Sequence, residues 1–260
     1  MGIARKGIVL SLALLAPVVL AQAQSAREVT RQAIQPESWQ IVVLANQARA
    51  AQGAGPLQWD PALGEAARQH CLRMAAEGPI SHRYGGEPDL TERAGTAGAH
   101  FSLIEENVAI GPTPTAIHDE WMHSPGHRTN LLNPQVDRVG VAVVASRGVL
   151  YAVADYSKAV PVLTPAQVEA NIGGLLRAKG MAILADPSDA RAYCSQEGAA
   201  RIARQPSFRM LWQEADLTIL PQALLGRIAS GQYRQAAVGS CPAQDVEGSF
   251  TAYRVAVLLY

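Results

Sequence analysis

The sequence predicts a mixed α/β protein in two units, and three observations carry that expectation. Apolar residues recur at helical spacing behind Ser38 and again behind Asp60-Pro61. Two apolar, β-branched runs, Val139 to Val144 and Val149 to Asp155, flank Ser146-Arg147-Gly148 in the manner of a hairpin. After Pro161, Thr164-Pro165-Ala166-Gln167 opens a fresh helix with a capping box, which places a boundary near Lys158.

In chain order, Arg5 and Lys6 precede the apolar run Ile8 to Leu20, and Ala21-Gln22-Ala23 follows it. Those are the basic, apolar and small-x-small regions of a secretory signal peptide over residues 1–23. The run is 13 residues long and broken by Ser11 and Pro17, whereas a membrane span needs about 20, so no stable transmembrane anchor is expected. Residues 24–37 read as a polar lead-in. Ser38 is the expected N-cap of a helix through Ile41, Val42, Leu44, Ala45 and Ala48, stopped by Gly53-Ala54-Gly55-Pro56. Asp60-Pro61 starts a second helix through Leu63, Ala66, Ala67, Cys71 and Met74 to Gly78.

Ile80 to Ala99 has no clean period and reads as a loop with a short helix near Leu90 to Ala94. A short apolar stretch, Asn107 to Ile110, a helix from Thr115 to Met122 and another from His127 to Leu132 lead into the hairpin. Beyond the capping box the helix runs to Gly180; helical segments at Ala190 to Ala203 and Pro221 to Ala229 follow, then strand-like runs Tyr233 to Cys241 and Phe250 to Tyr260. The second unit, 159–260, thus reads as α+β. It carries no recognisable chemical motif, and no internal repeat is visible in the chain.

The 260 residues are 48% hydrophobic and 17% charged, with 22 basic against 22 acidic side chains. That composition is globular, and the balanced charge gives no electrostatic reason to expect nucleic acid as a partner. Three cysteines in an exported chain imply one pair and one left over. A Cys194–Cys241 disulfide with Cys71 buried is the favoured pairing; the others stay open. Cys71 beside His70 is not a thiol–base pair, because adjacent helical residues point about 100° apart.

Most of the chemistry-bearing side chains fall in one stretch: His82, Glu105, Glu106, His118, Glu120, His123 and His127. Two imidazoles and a carboxylate suit a zinc site with one open position, but the chain has no HExxH motif, so the fold would have to gather the ligands. Ser124 three residues before His127 invites a serine-hydrolase reading. Ser124-Pro125-Gly126 is turn chemistry, however, and the chain has no G-x-S-x-G elbow.

An ordered set of residues carries more than any of these. Leu44, Asn46, Arg49, Gly53, Leu57, Trp59, Asp60, Leu63, Ala66, Ala67, His70 and Met74 are followed by Ser81-His82, Glu106-Asn107, Trp121-Met122, Ser124-Pro125-Gly126-His127-Arg128, Asn130 and Gly140. Over about Trp39 to Ser157 this resembles the CAP superfamily (cysteine-rich secretory, antigen 5 and pathogenesis-related 1 proteins), in its bacterial SCP-domain branch. The resemblance implies an α-β-α sandwich with a central antiparallel sheet over residues 38–158, followed by the smaller α+β domain.

It also implies a cleft lined by two His and two Glu. The matching positions are His82, Glu106 and His127, with Ser124 where the second Glu would stand; Glu120 lies one residue before Trp121, on a different helix face. His82, His127 and Glu106 could hold zinc or another divalent cation, or could form a hydrogen-bonded network that needs no metal. Trp121, Met122, Trp59 and Leu57 are expected in the core, and Glu105 and His123 as solvated neighbours. The implied function is extracytoplasmic binding, with no catalytic residue assigned, of a lipid or sterol-like ligand or an envelope protein. The rivals are a metal-dependent, peptidase-like hydrolase and recognition by the C-terminal domain.

Overall fold

A computed structural model describes residues 35–196, 202–243 and 250–260. The expected signal peptide, most of the lead-in and residues 197–201 of the expected 190–203 helix lie outside the described residues, whereas residues 202 and 203 are described and are not helical. Among those described, no helix is long and apolar enough to cross a membrane.

The chain opens with helix α1 (Pro36–Ala51), whose first turn is set by Pro36 rather than by Ser38, which is buried inside the helix. Proline tolerates that position because its missing N–H would be unpaired there anyway. After the two-residue strand β1 (Gln58–Trp59), α2 (Pro61–Glu77) starts as expected, the Asp60 carboxylate accepting from the amides of Ala62 and Leu63. The short helix α3 is Leu90–Thr96. Strand β2 spans all of Phe101–Gly111, far beyond the short run expected. Glu105 and Glu106 hide it in the sequence, because they break the apolar pattern of a buried strand. Helices α4 (Pro114–His123) and α5 (Pro125–Leu132) lead into β3 (Arg138–Ser146) and β4 (Val149–Ala159). Arg147 and Gly148 turn that hairpin with φ of 52° and 80°, the left-handed pair that matches strand twist.

The first sheet has the order β1-β3-β4-β2, antiparallel except for the parallel β1–β3 pair. Alternation along the strands sends Val139, Val141, Val143, Ala152, Ala154 and Tyr156 to one face, against α1, α4 and α5 through Ile41, Ile117, Trp121 and Leu131. Val108, Ala142, Tyr151 and Val153 go to the other, against Ala67, Cys71 and Met74 of α2. This is an α-β-α sandwich. Leu57 and Trp121 are in its core, and Trp59 and Met122 are partly buried against it.

The second unit holds α6 (Pro165–Ala178), β5 (Ala182–Ile183), α7 (Ser188–Ser195), β6 (Phe208–Glu214), α8 (Gln222–Ala229), β7 (Gln235–Cys241) and β8 (Tyr253–Leu259). The Thr164–Gln167 capping box is formed. Strand β6 has no period-2 signal strong enough to be read from sequence. The second sheet has the order β5-β7-β8-β6, with β5–β7 parallel and the other pairs antiparallel. Val168, Ile172, Leu176 and Leu224 cover one face, and Ala190 and Cys194 the other. The expectation of no internal repeat is therefore corrected: order, pairing sense and helix placement recur from one unit to the next. Sheet and helix patterning tolerate nearly complete exchange of side chains, so the repeat lives in topology.

Cys194 and Cys241 are joined, and Cys71 is free and buried, with its thiol pushed up to about 12 mainly by burial. The two units meet where the Thr251 amide donates to the Phe101 carbonyl (2.8 Å) and Phe250 packs edge-on against Phe101.

Candidate functional site

The helix α2 face of the first sheet ends at the open edge strand β2, and there the chain buries several polar groups together. Glu106 on β2 lies directly opposite Asp155 on β4, both buried. Glu106 accepts from His82 Nδ1 at its Oε1 (2.8 Å) and from Arg93 Nη2 at its Oε2 (2.5 Å). Arg93 comes from α3, which Asp89 caps through the Glu92 amide, and its Nη1 also donates to the carbonyls of His82 and Pro88, each at 3.3 Å. One guanidinium fork therefore binds both the backbone of the His82 loop and the carboxylate that His82 contacts.

The loop is fixed at a second point. His70, fully buried on α2, faces Glu87 Oε1 with Nδ1 (2.8 Å) and the Ser81 carbonyl with Nε2 (2.9 Å). The second oxygen of Glu87 accepts from the Tyr84 amide. Burial works to raise the Glu87 carboxyl, but the bonds from His70 and the Tyr84 amide and the charges of His70 and Arg93 hold it below the usual range.

On the other side of Glu106, α5 is pinned to β2 by an amide ladder. Asn107 donates to the His127 carbonyl (2.9 Å), and Asn130 donates to the Glu106 carbonyl (3.2 Å) and to Asn107 Oδ1 (3.0 Å). His127 is half-buried and its Nδ1 has no partner. The two imidazoles are shifted in opposite senses: His82, mostly exposed, is raised by its bond to Glu106, whereas burial and then the charge of His82 lower His127.

The three expected residues thus lie on two walls of one site, but they do not make a metal cradle. Both oxygens of Glu106 are occupied, one of them by a buried cation. Among the described residues, no three His, Cys, Asp or Glu side chains are arranged to hold an ion. Zinc needs lone pairs from at least three ligands converging at about 2.0–2.2 Å, so the residues present do not fit it. Ser124 joins α4 to α5 without a side-chain capping bond, and Glu120 is exposed. His123 is exposed as expected. Glu105 is not a solvated neighbour: it is half-buried and accepts from Asn133.

Sequence reasoning missed Arg93, Asp155 and the His70–Glu87 pair as parts of the site. Asp155 left a trace, a carboxylate closing an otherwise apolar strand, whereas Arg93 is one of many helical arginines. Asp155 is completely buried, and its carboxyl faces that of Glu106 across the rung. Burial first and the Glu106 charge second raise it well above the ordinary range, against the pull of Arg93.

The folded chain therefore holds the Asp155 proton to higher pH than the unfolded chain, which releases it above about pH 4, and the stability tied to that proton falls as pH rises above that value. Asp155→Asn removes the dependence. The variant is expected to gain on the wild type as pH rises above about 4, by up to about 1.4 kcal/mol per pH unit for as long as the folded chain still holds the proton, in urea unfolding. A gap that does not widen with pH would contradict a protonated Asp155.

The sequence profile of the cysteine-rich secretory protein family, CAP, matches residues 43–156. The Bacillus subtilis protein YkwD, described as uncharacterized, is 36% identical over 110 residues, which are 41% of this chain and 42% of that protein. An extracellular SCP-domain protein from Bacillus anthracis superposes with 28% identity and a TM-score of 0.44, over 47% of this chain and 40% of that one. An outer surface protein from Borrelia burgdorferi does so with 21% identity and a TM-score of 0.45, over 48% and 96%. The chain spans about two fifths of the length of YkwD. On its ordered motifs, its sandwich and this profile match, the segment 43–156 belongs to the cysteine-rich secretory protein family, CAP.

Proposed function

We propose that the CAP domain is an extracytoplasmic binding module that meets a protein or peptide of the cell envelope across the walls carrying His82 and His127, without metal chemistry. The observation that carries this reading is the engagement of both oxygens of Glu106. A buried carboxylate that accepts from an imidazole on one oxygen and from a buried guanidinium on the other has its charge offset and its orientation fixed, which suits a rigid floor better than a metal ligand or a base. The peptidase-like reading needs the opposite, an open ligand set around an ion.

The lining of the larger groove favours a polar partner over a lipid or sterol. The apolar groove at the junction of the two units, lined by Pro161, Val162, Leu163 and Tyr253, holds about 280 Å³; drug-sized ligands take roughly 300–1,000 Å³. A groove of about 670 Å³ lies against α5, the helix that carries His127, and is lined by Gln52, Met122, His123, Arg128 and Thr129. Its mixture of hydrogen-bonding and apolar groups suits a peptide.

Protein purified without chelator and dialysed against micromolar zinc is expected to hold far less than one zinc per chain by elemental analysis, and solvent extraction to yield no stoichiometric lipid by mass spectrometry. A protein partner taken from envelope fractions is expected to bind the wild type and to be lost from the His82→Ala, His127→Ala double variant. One zinc per chain that disappears in that variant would replace this reading with a metal-dependent one. A stoichiometric lipid would replace it with a carrier.

A further inference from the structure

The repeated topology extends to individual positions, through a close approach that only glycine allows. A Cβ on Gly140 of β3 would lie 2.1 Å from the Gly64 nitrogen and the Leu63 carbonyl carbon of α2. A Cβ on Gly239 of β7 would lie 2.3 Å from the Ala190 carbonyl carbon and the Arg191 nitrogen of α7. In both units, then, the helix backbone rests on one glycine of the third strand. Gly140 pairs with Asp155, which pairs with Glu106; Gly239 pairs with Ala256, which pairs with Leu211. Aligned on the glycines, the rung Gly140–Asp155–Glu106 corresponds to Gly239–Ala256–Leu211.

One helical turn on from the contact, Ala67 of α2 corresponds to Cys194 of α7. Two residues along the strand, Ala142 corresponds to Cys241. Ala67 and Ala142 lie in one buried cluster of the first unit, and Cys194 and Cys241 are the disulfide of the second, packed against Ala256 and Leu211. The short parallel strand shifts by two residues, Trp59 pairing one residue before Gly140 and Ile183 three before Gly239. Helices α3 and α5, which bring Arg93 and His127 to the cleft, have no counterpart among the described residues. All six histidines of the chain fall between residues 70 and 127.

We propose that residues 165–260 are a second, silent copy of the sandwich, in which the rung that carries the buried acid pair is refilled with Leu211 and Ala256 and the neighbouring small-residue contact is replaced by a crosslink. The polar network of the first copy costs stability unless every group is held. The second copy exchanges that cost for apolar packing and a covalent bond. Cleft chemistry then belongs to the first copy alone, and in the second the rung that matches the acid pair is apolar.

The equivalence makes a prediction that nothing else in the first unit does. In the full chain, the Ala67→Cys, Ala142→Cys double variant is expected to close a new disulfide on air oxidation, because the matching Cys194–Cys241 pair has its Cα atoms 5.8 Å apart, inside the range a disulfide spans. Intact mass would fall by two hydrogens per chain, and peptide mapping would show Cys71 still free. Ala66→Cys with Ala142→Cys, one residue round the helix, is expected to stay reduced. Free thiols in the first variant, or closure of both alike, would overturn the proposal. Hydrogen exchange on the unaltered chain gives an independent reading: two protected sets are expected, one in β3 and β4 and one in β7 and β8. Protection confined to the first unit would also overturn it.

Discussion

Replacing Arg49 by methionine is expected to remove most of the stability of the CAP domain. Arg49 is fully buried near the end of α1, yet it contacts no carboxylate. Its guanidinium is consumed by backbone carbonyls: Nε donates to Gly55 (2.7 Å), Nη1 to Leu131 and Asn133 (2.9 and 2.8 Å), and Nη2 to Val136 (3.0 Å). Those four oxygens end α5, line the turn behind it and open the loop before β1, places where no secondary structure would pair them. Methionine keeps much of the volume and strands the acceptors. Leaving one buried acceptor unpaired costs about 1–3 kcal/mol, so four of them reach or exceed about 4 kcal/mol, against a typical domain stability of about 5–15 kcal/mol. Urea unfolding measures it. A loss below about 1 kcal/mol would mean that water enters to satisfy the carbonyls. Arg49→Lys, with a compact ammonium instead of a fork, is expected to fall between.

Arg49 also marks where sequence reading stops. Its place in the ordered motif set was legible, but its partners are carbonyls, and carbonyls leave no trace in residue type. The elements that could be read were those signalled by chemistry within a few residues: the Asp60-Pro61 cap, the Thr164–Gln167 capping box and the Arg147-Gly148 turn. Strand β2 is under-read from sequence because Glu105, Glu106 and Asn107 interrupt the apolar run expected of a strand whose central residues are buried on both faces. His82, Glu106 and His127 were identified through resemblance alone. Arg93 could not be, since what distinguishes it is that a loop closed by His70 and Glu87 folds back over it. The duplicated sandwich escaped notice because one glycine and an alternating pattern preserve the topology while the side chains around them change.

Arg93→Met is the sharpest test of how the site is held. The Arg93–Glu106 contact is almost completely shielded from solvent, and Asp155 lies beside Glu106 in the same rung. Removing one partner of a buried ion pair leaves an uncompensated charge and costs about 3–5 kcal/mol, whereas exchanging both for neutral groups is often close to neutral. Arg93→Met is therefore expected to lose about that much, and Arg93→Met with Glu106→Gln to recover a large part of it, so that the cycle shows strong coupling. His82 provides a reading independent of stability. Its bond to Glu106 raises its protonation while the Arg93 charge lowers it. The His82 ring resonances should consequently titrate at higher pH in Arg93→Met than in the wild type, and at lower pH than in the wild type once Glu106 is also neutral, when burial is the remaining influence. A purely structural role for Arg93 predicts the stability loss without the paired movement of the His82 titration. Observing both would show that one guanidinium sets the loop position and the charge around Glu106 together.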